Sequence, residues 1–99
     1  MESLSIIWEP AAIMAVMDTL EWYKNNGYGE QFARTFINNI NDALSSIATS
    51  PGIGKFYKII NAVEYRIMPT HPKSSVLYYV KGKELHVVDI IYSKMNNNN

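Results

Sequence analysis

Few residues in this chain have side chains suited to chemistry, and most stand in its second half. Arg66 lies inside the strand-like run Val63-Glu64-Tyr65-Arg66-Ile67-Met68. A guanidinium there can fork onto a phosphate or carboxylate, or pair locally with Glu64 or Glu84. Asp89 interrupts the apolar run Leu85-His86-Val87-Val88-Asp89-Ile90-Ile91. A buried carboxylate needs a partner such as Arg66 or Lys58; otherwise it faces outward, toward a bound protein. The run ends in Tyr92-Ser93-Lys94, a phenol, a hydroxyl and an ammonium within three residues. The two histidines, His71 and His86, have no third ligand at metal spacing, so no metal site is expected. His86, between Leu85 and Val87, reads as an ordinary strand residue. There is no cysteine, which excludes a disulfide framework and a thiolate metal site. Paired carboxylates at catalytic spacing and a Gly-rich phosphate loop are both absent, so no cofactor is expected.

The elements that must carry these residues fall into a helical first half and a stranded second half. Leu4 to Trp8 is β-branched, bounded by Pro10, and predicts a short strand. Pro10 suits the first position of a helix, with Glu9 as its N-cap and Trp8 and Ile13 spaced as a hydrophobic staple. Ile13, Val16, Met17, Leu20 and Tyr23 recur at three- and four-residue steps and predict the buried stripe of a helix ending near Asn26, with Gly27 as a left-handed cap. Trp22, Tyr23 and Tyr28 gather at the turn, as core or as a protein-contact patch. A second helix over 29–49 carries the stripe Phe32, Phe36, Ile40, Ala43, Leu44 and Ile47 and stops at Ser50-Pro51-Gly52. So short a connection makes the two helices an antiparallel hairpin. Tyr57 to Ile60 reads as an extra strand or the entry to the next, with Asn61-Ala62 as a bend or bulge. Three strands follow, near 63–68, 75–80 and 85–92, with Gly82 in the second gap. The result is an α+β fold of two layers, β-α-α-β-β-β(-β), with an N-terminal helical hairpin packed on a mainly antiparallel C-terminal sheet. The second sheet face is only partly polar, which suggests a partner on it.

At 99 residues the chain has room for one domain, expected over 1–95, with the Asn tract at 96–99 expected to be disordered. Met1-Glu2-Ser3 does not open a secretory signal and no apolar run is long enough to span a bilayer, so a cytoplasmic protein is expected. The net charge is zero, but residues 1–50 carry six acids against two bases and residues 51–99 seven bases against three acids. A nucleic-acid binder shows basic excess over the whole domain, and this chain does not.

Five stretches, in this order and spacing, carry a resemblance that covers nearly the whole chain. They are Ile7-Trp8-Glu9-Pro10-Ala11-Ala12, Tyr28-Gly29-Glu30-Gln31-Phe32-Ala33-Arg34-Thr35-Phe36, Ser50-Pro51-Gly52-Ile53-Gly54-Lys55, Val76-Leu77-Tyr78-Tyr79-Val80, and the last strand running into Tyr92-Ser93-Lys94. Together they resemble the RelE/ParE superfamily of bacterial type II toxins. The long helical hairpin and the Pro-Gly-Ile-Gly connector look closer to the ParE-like branch, often called plasmid stabilisation proteins. The resemblance implies a toxin neutralised by a cognate antitoxin that lays a helix or strand along an apolar groove, and it is compatible with a homodimer. RelE-like members cut mRNA on the ribosome, whereas ParE-like members poison DNA gyrase by binding it.

The resemblance also implies where a nuclease would keep its groups. The Arg expected just before the apolar run of the middle strand is Ser75 here, and Ser93 stands where a His is expected. Gly52 and Ile53 stand where some nucleases have an acid. A hydroxyl cannot clamp a phosphate as guanidinium does, and losing an acid and a cation forfeits several tenfold factors in rate. The resemblance therefore implies a binding toxin that is not an enzyme, with Arg66, Asp89, Tyr92, Ser93 and Lys94 as contacts to target or antitoxin. The enzyme alternative is a ribosome-dependent mRNA endonuclease working with Arg66, Tyr92 and Lys94. A third alternative keeps the fold and antitoxin binding and has lost toxicity.

Overall fold

A computed structural model describes residues 3–71 and 73–92, the side chain of residue 71 excepted. Ser93, Lys94 and the Asn tract at 96–99 lie outside the described residues. The chain runs β1 (Ser5–Trp8), α1 (Pro10–Asn25), α2 (Glu30–Thr49), a short 3-10 turn at Pro51–Ile53, then β2 (Lys55–Ile60), β3 (Val63–His71), β4 (Ser74–Lys81) and β5 (Glu84–Tyr92).

The strands form one sheet in the order β1-β5-β4-β3-β2. All neighbours are antiparallel except β1, which lies parallel to β5 with Ser5 opposite Glu84 and Trp8 opposite Val87. The sheet is therefore mixed, and the first strand lies beside the last. Two tight turns set the meander. At Asn61-Ala62 both residues have positive φ, 51° and 66°, as a type I′ turn requires. At Gly82-Lys83 only Gly82 does, at 61°, the pattern of a type II′ turn.

Both helices lie on one sheet face. α2 buries Phe36, Ile40, Ala43, Leu44, Ile47 and Ala48, close to the stripe its spacing predicts. Phe32 is the exception and is exposed. These side chains meet Val76 and Tyr78 of β4 and Leu85, Val87 and Ile90 of β5, all buried. The shift from two-residue alternation at Val87-Val88 is a bulge. Tyr78 pairs Val87 while Leu77 pairs Asp89, so Val88 is the extra residue.

The stripe predicted for α1 is corrected. The helix turns Ala12, fully buried, with Ala15, Val16, Leu20 and Tyr23 toward the core, and leaves Ile13 and Met17 at 44% and 58% exposed. Small side chains let the helix axis come close to β5, and the larger neighbours are then directed outward. Trp8 packs against the same core from the end of β1.

Candidate functional site

Three clusters stand out among the described residues, on different parts of the molecule. The first is built on Arg66. Its register opposite Tyr78 puts it on the helix side of the sheet. The guanidinium donates to the Gly54 carbonyl at 2.6 Å, more weakly to that of Gly52 at 3.5 Å, and pairs with Glu64 at 2.6 Å. Beside it the buried Tyr78 phenol donates to the Pro51 carbonyl at 2.8 Å and accepts the Gly54 N–H at 3.1 Å. Burial raises the Tyr78 hydroxyl above its usual value, so it stays protonated and able to donate. Two β-strand side chains thus hold the connector between α2 and β2. Arg66 is an anchor for backbone before it is anything else.

The second cluster lies on the opposite, uncovered face. Register places Ile7 of β1 beside His86 of β5, and His86 beside Tyr79 of β4. Tyr79 meets Tyr65 edge-on at 5.3 Å, and Lys58 of β2 lies opposite Tyr65. His86 is stacked on Tyr79 with ring centroids 4.6 Å apart and planes 4° from parallel. Its Nδ1 is 2.9 Å from Glu9 and its Nε2 2.9 Å from Glu84. These bonds, the Glu9 one above all, raise the His86 pKa from its ordinary value. Glu84 could have been picked out from the sequence, because residues two apart share a strand face. Nothing local pointed to Glu9, 77 positions away.

Asp89 sits half-buried on this uncovered face, opposite Leu77. It is paired with neither Arg66 nor Lys58. Its Oδ1 accepts the N–H of Ile90 at 2.8 Å, which satisfies the carboxylate locally beside the bulge. Ser75, opposite Ile91 and Pro69, is on the same face.

The third cluster is aromatic. Trp22 stacks on Tyr28 at 5.5 Å, Tyr28 meets Phe32 edge-on at 4.9 Å, and Tyr23 meets Phe36 at 6.0 Å. With Tyr92 at the end of β5 they line a cavity of about 590 Å³ between the helical turn and the end of the sheet. Asp18 and Lys73 stand at its margin. Trp22, Tyr28 and Phe32 are 42–54% exposed, too wet for core. The Tyr92 hydroxyl bonds Thr19 of α1, and burial raises its pKa. Tyr92 therefore joins this cavity and stands apart from Arg66.

Among the described residues, no group of three His, Asp or Glu could hold a metal ion, and no helix is long and apolar enough to cross a membrane. No family model matches the sequence, and no curated protein sequence does either. Solved structures do. A chain of a chromosomal ParDE toxin–antitoxin system from P. aeruginosa superposes with a TM-score of 0.68 at 19% identity, over 93% of this chain and 98% of that one. The YoeB dimer from Staphylococcus aureus gives 0.61 at 20% identity over 93% and 99%. A YoeB/ParE toxin from Agrobacterium tumefaciens gives 0.55 at 16% over 92% and 100%. The chain shares its fold with these ParE- and YoeB-type structures.

Proposed function

We propose that this chain is the toxin of a type II toxin–antitoxin pair, ParE-like, acting in the cytoplasm by binding a cellular protein such as DNA gyrase. The supporting observation is the engagement of Arg66. Its guanidinium is turned to the helix side and used on Glu64 and the connector carbonyls, while the uncovered face offers Ser75 where a nuclease would offer a second Arg. Among the described residues that face offers the ammonium of Lys58 but no guanidinium that could fork onto a phosphate in a transition state. The aromatic cavity is the docking place for a cognate antitoxin. An amphipathic segment would seat an apolar side chain among Trp22, Tyr28 and Phe32, and the exposed rings supply the anchors typical of such interfaces. One of the similar solved structures is itself a YoeB–YefM complex, which fits this reading.

The test is to induce the chain alone in a bacterial host and to assay the purified protein against gyrase. Stalled replication with an SOS response, together with loss of supercoiling in the assay, is the expected result. Prompt translation arrest with cleaved mRNA would replace this reading with the nuclease one, carried by Arg66, Tyr92 and Lys94. Undisturbed growth would leave a member that only binds antitoxin.

A further inference from the structure

His86 is bonded at both ring nitrogens to carboxylates, and that arrangement has a chemical requirement. A neutral imidazole has one N–H and one lone pair, so it can donate to one carboxylate only and would turn its lone pair on the other. An imidazolium donates to both. The ring also lies flat on Tyr79, where a cation gains from the π face. Its side chain is only 14% exposed, which limits rescue by water.

The two carboxylates belong to different parts of the fold. Glu84 opens β5. Glu9 lies at the junction of β1 and α1, as the N-cap residue, yet its side chain caps nothing and goes to His86. β1 is a four-residue edge strand, largely exposed. Its ties include Ser5 N–H to the Lys83 carbonyl and Glu9 N–H to the Val87 carbonyl, both at 2.9 Å. We propose that Glu9, His86 and Glu84 form a proton-operated latch that holds β1 and the start of α1 against the sheet. When His86 loses its proton, one carboxylate is released. If that is Glu9, it can turn to the Ala11 N–H in the first turn of its own helix, and β1 loosens from β5.

The other charged and titratable groups facing this ring do not mimic the effect. Lys81 opposes Glu84 in register. The Tyr79 hydroxyl is raised above its usual value by burial, then by Glu9, so it stays neutral there. Lys83 lies in the turn whose carbonyl holds Ser5. The sign follows from the raised folded pKa of His86. The latch is fully engaged below the unfolded value of about 6.5 and is lost as pH rises through the raised folded value.

The experiment is amide hydrogen exchange and histidine NMR on the full chain between about pH 5 and about pH 8. Protection of the Ser5 and Glu9 amides, corrected for intrinsic exchange, should fall about tenfold or more across the His86 titration, the worth of one charge-assisted hydrogen bond. The β4 amides should hold steady. In Glu84→Gln the amide can donate to a neutral Nε2, so the pH dependence of β1 should disappear while the fold stays intact. His86→Gln should abolish it too. Unchanged β1 protection across the titration, or the wild-type fall persisting in Glu84→Gln, would overturn the latch.

Discussion

The phenol of Tyr78 occupies the space a side chain on residue 54 would need: a Cβ built on Gly54 overlaps the ring and its hydroxyl. The same hydroxyl serves the Gly54 N–H and the Pro51 carbonyl, so the glycine and the tyrosine define one joint between α2 and β2. Gly54→Ala should cost about 1–3 kcal/mol, the range for forcing atoms into a packed core. Tyr78→Phe keeps the ring and removes the oxygen, and it should cost about 1–3 kcal/mol by leaving a buried N–H unpaired. Urea denaturation of both variants checks this. A Gly54→Ala protein as stable as the parent would mean that the connector sits farther from β4 than described.

The β2–β3 turn invites the opposite change. Ala62 is held at φ 66°, where a Cβ is strained by about 1–2 kcal/mol. Glycine removes that strain and adds about 0.5–1 kcal/mol of unfolded-state entropy. Ala62→Gly should therefore stabilise the chain by about 0.5–1 kcal/mol, and Ala62→Val should destabilise it. Thermal melts of the three proteins should rank Gly, Ala, Val in falling order. Any other order would argue against the I′ geometry.

Arg66 is the candidate whose structural and functional roles are easiest to separate. Its bond to the Gly54 carbonyl is charge-assisted, but the side chain is 30% exposed and that of Glu64 46%. Solvent screening discounts such pairs. Arg66→Met should cost about 1–2 kcal/mol through the lost backbone bonds, and Glu64→Gln less than about 0.5 kcal/mol. Equal losses from the two substitutions would assign the stability to the ion pair instead of the connector.

What the sequence makes legible here is what neighbouring residues specify. Pro10, Gly27 and Ser50-Pro51 mark the helix limits within a residue or so, and the apolar runs with Gly82 mark the meander. Three things escape. The parallel pairing of β1 with β5 has no local signal, because the partners lie some 80 residues apart. The face of α1 is misread because periodicity weighs large apolar residues, whereas close approach to the sheet selects Ala12 and Ala15. The described candidate residues form no single site: Arg66 and Asp89 share neither a face nor a contact, and Tyr92 belongs with the helical turn. Strand alternation puts Arg66 on one face with Glu64 and Met68, but only the folded connector reveals what it holds.

The aromatic cavity carries the most direct test of partner binding. Trp22 and Phe32 are 52% and 54% exposed, and each keeps a ring contact with Tyr28 in the free chain. Trp22→Ala and Phe32→Ala should cost the free protein about 0.5–1.5 kcal/mol, the range for a lost aromatic pair, and leave it folded. If the rings anchor an antitoxin, each should weaken the complex by about 2 kcal/mol, roughly thirtyfold in Kd. Met14, equally exposed on α1 but outside the cavity lining, supplies the control: Met14→Ala should leave affinity unchanged. Calorimetric titration of the four proteins with the proposed antitoxin reads the difference. Parent-like affinity in both aromatic variants would move the docking place off the helical turn and toward the uncovered sheet face.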